Sequence, residues 1–141
     1  MNRHEERRFA ARYAALDLAL GFVEAFCTAH AVPRVDTLRL RLMVEELFTN
    51  TIEHGHGGGA DVEVELALRR DERGIELAYA DPGPPFDPGA AGRPGHLDAD
   101  AADRLPGGLG LHLVRELAAE LDYRYDGRHN RLRLLLRLDA P

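Results

Sequence analysis

The sequence predicts an α/β sandwich in which three helices pack against a sheet of four or five strands. Three observations carry that expectation. The first is a pair of long Leu- and Ala-rich helical runs in the N-terminal half. The second is DVEVELALR, whose strict alternation of apolar and polar residues has the period of a half-buried strand. The third is a glycine-rich turn, GGLGL, that opens an amphipathic helix after a long Pro- and Gly-rich segment. A chain of 141 residues and 15.6 kDa holds one compact domain that buries roughly two-thirds of its unfolded surface, and two such domains do not fit.

The elements follow in order. Residues around Arg7 to Tyr13 are expected to form a short first strand. From Ala14 to about His30, apolar residues fall on most sides, the pattern of a largely buried helix stopped before Pro33. Asp36 or Thr37 is expected to cap a second helix, TLRLRLMVEELFTNTIEH, in which Leu40, Val44, Leu47, Phe48 and Thr51 share one face and Gly55 ends the run. The strand Asp61 to Arg69, a polar turn over Arg70 to Gly74 and a strand Ile75 to Ala80 make a hairpin. The segment that follows is too long for an ordinary connection and is expected to be a lid over residues 87–106. GGLGLHLVRELAAEL then forms the third helix, and strands at Asp122 to Tyr125 and Leu132 to Leu138 close the sheet.

Composition removes several chemistries. All 18 basic residues are arginine, and the chain contains no lysine, serine, glutamine or tryptophan. P-loop nucleotidases, protein kinases built on a strand lysine, Schiff-base enzymes and serine hydrolases all need a residue that is missing. A net charge of −6 argues against a general nucleic-acid surface. The stripe Arg131, Arg133 and Arg137 alternates with Leu132, Leu134, Leu136 and Leu138, as the wet face of a strand does. The N-terminus carries no secretion signal and no run of about 20 apolar residues could span a bilayer, so a soluble cytoplasmic location without membrane contact is expected. The single cysteine, Cys27, lies in an apolar run and reads as a buried structural thiol. His54 and His56, two imidazoles in a Gly-rich segment with no third ligand nearby, have poor zinc spacing.

Three segments carry the chemistry. On the second helix Glu46 and Asn50 are one turn apart, which places a carboxylate able to act as general base beside a hard oxygen ligand for Mg²⁺. At a strand end stands Asp81-Pro82-Gly83-Pro84-Pro85-Phe86, where an aspartate can accept a hydrogen bond from an exocyclic amine and Gly83 lets the backbone approach a flat ring. At the third helix, Gly107-Gly108-Leu109-Gly110-Leu111 exposes backbone N–H groups and the positive end of the helix dipole, which suits phosphate.

In this order the three segments resemble the N, G1 and G2 boxes of the GHKL ATPases, the gyrase and histidine-kinase superfamily with the Bergerat fold. The likeness to the anti-sigma-factor serine/threonine protein kinases is closer: EELFTNTIEHG resembles their N box, DPGPPF their G1 box and PGGLGLHLVRELAAELDY their G2 box with its helix. The resemblance implies a mixed, mostly antiparallel sheet with the three helices on one face and a long ATP lid. It makes Glu46 the catalytic base, Asn50 the Mg²⁺ ligand, Asp81 and Gly83 the adenine contacts, and Gly108 and Gly110 the phosphate-facing backbone; Phe86, Gly107, Leu109 and Leu111 belong to the same nucleotide-binding boxes, and His54 lines the pocket. It implies ATP and Mg²⁺ as cofactors, a sigma factor and a small antagonist as protein partners, phosphorylation of that antagonist on serine, and a homodimer.

The chain departs from the family in two places. Relatives carry a hydroxyl residue on the last strands that helps hold the adenine aspartate, whereas Asn130 to Leu138 contains neither Ser nor Thr, so either Asn130 or water takes that role. The lid has no lysine or hydroxyl residue, which leaves Arg93, Arg104 or backbone for the γ-phosphate. Two functions are compatible with these residues: a kinase, which needs Glu46, and an ATP-gated protein-binding module without phosphotransfer, which does not.

Overall fold

The computed structural model describes residues 3–55, 62–83, 85 and 108–138. Strand β1 (His4–Ala10) leads into helices α1 (Tyr13–Ala29) and α2 (Arg34–Asn50), and a π-helical turn (Thr51–Gly55) extends α2. The hairpin β2 (Glu63–Asp71) and β3 (Gly74–Pro82) follows, then α3 (Gly108–Leu117), β4 (Glu120–Tyr125) and β5 (His129–Leu136). The sheet order is β1-β2-β3-β5-β4, and each of its four pairings is antiparallel, so the mostly antiparallel sheet expected from the sequence is fully so among the described residues.

Alternation decides which face is covered. Directly opposed residues lie on one side of a sheet, and the register pairs Phe9 with Val64, Leu66 with Tyr79, Leu68 with Leu77, Tyr79 with Leu132 and Leu77 with Leu134. All are buried, together with Phe26, Leu40, Met43, Val44, Leu47 and Phe48 of α1 and α2. Each large aliphatic or aromatic side chain sealed in this way contributes roughly 1.5–3 kcal/mol. Cys27 is part of the same core at 1% exposure, and burial pushes its thiol pKa up. On the opposite face Arg131 reaches Asp126 at 2.6 Å and Arg133 reaches Glu76 at 3.6 Å, as expected of a solvated arginine stripe. No helix of the described residues is long and apolar enough to cross a membrane.

Element ends differ from expectation where a hydrogen bond outweighs the apolar pattern. β1 runs over His4–Ala10 rather than around Arg7 to Tyr13, because its register with β2 sets Phe9 against Val64 and the Ala11 N–H bonds the Val62 carbonyl at 2.8 Å. α2 starts at Arg34 with Pro33 as its cap: the Thr37 N–H donates to the Pro33 carbonyl at 3.0 Å, so Asp36 and Thr37 lie inside the first turn rather than at its cap. α3 ends at Leu117, short of the expected Leu121, because the Ala119 N–H donates to the Leu135 carbonyl at 2.7 Å and joins the chain to the β5 edge. β5 begins at His129 instead of Leu132. The Asp126 carboxylate sets that start, accepting the Arg128 and His129 N–H groups at 2.9 and 2.7 Å across a turn in which Gly127 has φ 98°. In the β2–β3 turn a Cβ on Gly74, at φ 143°, would stand 2.1 Å from the Leu136 carbonyl oxygen, so only glycine fits there.

Candidate functional site

The site is built where the end of α2 meets the end of β3. Glu46 and Asn50 lie half-buried in the last turns of α2. Burial pushes the Glu46 pKa above the usual glutamate value, and the negative charges of Glu45 and Glu53 push it further the same way. A base with an elevated pKa is better matched to work near neutral pH. Glu53 is itself held at the π turn by a hydrogen bond from the Tyr13 hydroxyl at the start of α1.

Beyond Asn50 the helix widens. The Leu47 carbonyl accepts the Thr51 N–H and the Tyr79 hydroxyl at 3.0 Å, and the Thr51 hydroxyl oxygen stands 3.1 Å from it. This crowding coincides with the switch from α to π geometry at Thr51, the kind of local ladder change found at functional sites. The backbone of His54 lies within that turn.

Asp81 is 7% exposed near the end of β3, and both its oxygens accept hydrogen bonds. The Thr51 hydroxyl donates to Oδ2 at 2.6 Å and the Asn130 amide donates to Oδ1 at 3.1 Å. Asp81 and Asn130 are directly opposed in the β3–β5 register, so Asn130 occupies the place that the sequence left open between Asn130 and water. The Tyr123 hydroxyl donates to Asn130 Oδ1 at 2.7 Å. An amide whose oxygen is engaged this way must turn its NH₂ toward the carboxylate. On the other side the Thr51 and Tyr79 hydroxyl oxygens lie 2.5 Å apart. The Tyr79 pKa is raised well above the usual tyrosine value, by burial first and by the Asp81 charge second, so its hydroxyl remains a donor.

Two residues further on, Gly83 has φ 146°, where a side chain would be strained, and its N–H reaches the Arg128 carbonyl at 3.4 Å. α3, which packs on α2, starts at Gly108, so the backbone of Gly108, Leu109, Gly110 and Leu111 forms its first turn. Phe86, Gly107, Arg93, Arg104, His56 and the lid segment 87–106 lie outside the described residues.

The structure thus joins the end of α2 to β3 through three hydrogen bonds: Tyr79 to the Leu47 carbonyl, Tyr79 with the Thr51 hydroxyl, and Thr51 to Asp81. Three members of this network, Thr51, Tyr79 and Tyr123, have no role in the sequence reading. Thr51 is placed there only on the buried face of its helix. Tyr79 is two residues before Asp81 and therefore on its side of the strand, which was the available signal.

The residues present fit an adenine nucleotide. A buried carboxylate supplied with two donors is an acceptor for an exocyclic amine, beside a glycine whose backbone conformation favours no side chain. Among the described residues no group of three His, Cys, Asp or Glu side chains gathers to hold a metal. Mg²⁺ takes few protein oxygen ligands and completes its shell with phosphate and water, and the Asn50 carboxamide offers one such oxygen.

This fold and this grouping of residues define a class of nucleotide-binding domain. The chain belongs to the histidine kinase-like ATPase domain family, whose profile matches residues 9–136. Membership in an ATPase family makes ATP the ligand of the class. The serine/threonine-protein kinase BtrW of Bordetella bronchiseptica is 36% identical over 89 residues, 62% of each protein, so the chain spans about three-fifths of this curated relative. Among solved structures, the RsbU and RsbW domains of a Mycobacterium tuberculosis protein superpose with a TM-score of 0.66 at 16% identity, covering 99% of this chain and 34% of that one. The histidine kinase domain of a blue-light activated histidine kinase from Erythrobacter litoralis superposes with a TM-score of 0.53 at 21% identity, covering 89% of this chain and 60% of that one. At these identities the two structures speak for the fold.

Proposed function

We propose that residues 1–141 form one domain that acts in the cytoplasm as an ATP- and Mg²⁺-dependent serine/threonine protein kinase and anti-sigma factor, sequestering a sigma factor and phosphorylating the antagonist that releases it. The observation that carries this reading is Glu46: a half-buried carboxylate of raised pKa, one helical turn before Asn50, on a helix tied to Asp81. A module that only grips its partner has no use for such a group. The kinship with a named serine/threonine-protein kinase supports the same choice.

Asp81 accepts the adenine amine, and Gly83 lets the ring lie against backbone. Asn50 supplies a metal ligand through its carboxamide oxygen, and the N–H groups of the α3 first turn, Gly108 to Leu111, face the phosphates. Mg²⁺, when bound, neutralises charge on the phosphate oxygens. Glu46 takes the proton of the attacking serine hydroxyl as its oxygen bonds to the γ-phosphorus, and the bond to the leaving ADP oxygen breaks.

The chain has no serine of its own. Partners captured from the native cell and incubated with γ-labelled ATP should therefore carry the label, on serine, while this chain stays essentially unlabelled. Label on none of the proteins that bind it would favour the gated module.

A further inference from the structure

Two chains of hydrogen bonds end on the Asp81 carboxylate. Thr51 and Tyr79 each bring a single hydroxyl proton, and the acceptors within reach are Asp81 Oδ2, the Leu47 carbonyl and the two hydroxyl oxygens themselves. The buried Asp81 carboxylate accepts the Thr51 proton at 2.6 Å, a closer contact than the Leu47 carbonyl at 3.1 Å. Two hydroxyl oxygens 2.5 Å apart need a proton between them, and only that of Tyr79 is left, shared with the Leu47 carbonyl at 3.0 Å. The hydrogen bonds run Tyr79 to Thr51 to Asp81 Oδ2. A second chain of the same form runs Tyr123 to Asn130 to Asp81 Oδ1.

We propose that Tyr79 and Tyr123 are positioning residues for base recognition: each fixes, through Thr51 or Asn130, the donor that holds the Asp81 carboxylate oriented toward the 6-amine of the purine, so two side chains that do not touch the base set its selectivity. The inference rests on the reading of Asp81 as the adenine contact. Without the Tyr79 hydroxyl, the Thr51 proton has the Leu47 carbonyl as an alternative acceptor at 3.1 Å, and Oδ2 loses its donor for part of the time. Without the Tyr123 hydroxyl, Asn130 Oδ1 loses the donor that orients the amide, and an amide turned with its oxygen toward the carboxylate repels it.

Calorimetric affinities for ATP and for purine riboside triphosphate, which lacks the 6-amine, test this without any need for catalysis. The wild-type preference for ATP should fall roughly three- to tenfold in Tyr79→Phe and in Tyr123→Phe, the range expected for one weakened hydrogen bond. Thr51→Ser, which keeps the hydroxyl, should keep the preference; Thr51→Val, of nearly the same shape, should lose it. A variant that merely loosens the fold weakens both ligands together and leaves their ratio alone. The wild-type ratio retained in both tyrosine variants overturns the proposal while leaving the adenine reading standing. Equal affinity of the wild type for the two triphosphates overturns the adenine reading, and the proposal with it.

Discussion

Asp81 and Glu46 are the two carboxylates of the proposed site, and their surroundings treat them in opposite ways. Asp81 is sealed at a strand end with a donor on each oxygen, Thr51 on one and Asn130 on the other. Glu46 is half-buried near a helix end, where burial and the charges of Glu45 and Glu53 all oppose its ionisation. The first environment holds a fixed acceptor, as recognition of a base requires. The second makes a group that takes up a proton more readily than a free glutamate, as a base needs. In the proposed kinase, the strand end serves recognition and the helix end serves chemistry.

The strongest way to break that contrast is to remove Glu46. Glu46→Ala should lower transfer of γ-phosphate to a captured partner by roughly a hundredfold or more, the usual worth of a positioned base, with ATP affinity by calorimetry close to wild type. Transfer at the wild-type rate would take the base role away from Glu46. Asp81→Asn should do the reverse. A lost charge-assisted hydrogen bond costs about 1.5–3 kcal/mol, so ATP binding should weaken by roughly tenfold or more and the preference for ATP over GTP should collapse.

The double variant sharpens the comparison. If recognition and proton transfer are separate tasks, the binding defect of Glu46→Ala plus Asp81→Asn should equal that of Asp81→Asn within about 0.5 kcal/mol. A larger departure would mean that the Thr51 link between helix and strand carries energy from one carboxylate to the other.

The smallest effect concerns pH. As the proposed base, Glu46 acts only when unprotonated, so its raised pKa should place the acid limb of the rate profile above the ordinary glutamate range, with the rate falling as pH falls through that limb. Glu53→Gln removes one of the charges that raise it, and the limb should move to lower pH by a fraction of a unit. The same shift has a stability consequence of defined sign. The folded chain binds this proton more tightly than the unfolded chain, so the Glu46 contribution to stability declines as pH rises between the ordinary and the raised value. The pH dependence of the unfolding free energy should lose this component in Glu46→Gln.

What the sequence disclosed, and what it withheld, follow from the range of the interactions. The order of elements, the Leu40-Val44-Leu47-Phe48-Thr51 face, the β2–β3 hairpin and the position of Asp81 near a strand end are local, set by periodicity and turn residues. The network around Asp81 is not local. Thr51 and Asp81 are 30 positions apart and Asp81 and Asn130 are 49 apart, and their meeting depends on a register that no single segment encodes. The misplaced ends of β1 and α3 have the same origin, since each is fixed by a bond to another element, whereas the start of β5 is set locally by the Asp126 turn. The π turn is the clearest case: TNTIEHG continues a helical pattern, and the widening occurs where the Tyr79 hydroxyl from β3 reaches the Leu47 carbonyl.

The buried Cys27 makes the molecule a convenient object for labelling. Its thiol is the only one in the chain, it is sealed in the core, and its elevated pKa keeps the reactive thiolate scarce. A maleimide added to the folded protein should find almost nothing to modify, so the slow rate at which Cys27 does react measures how often the core opens. A second cysteine engineered onto the surface would carry a fluorophore or spin label at one chosen point, with the native residue acting as a silent internal clock.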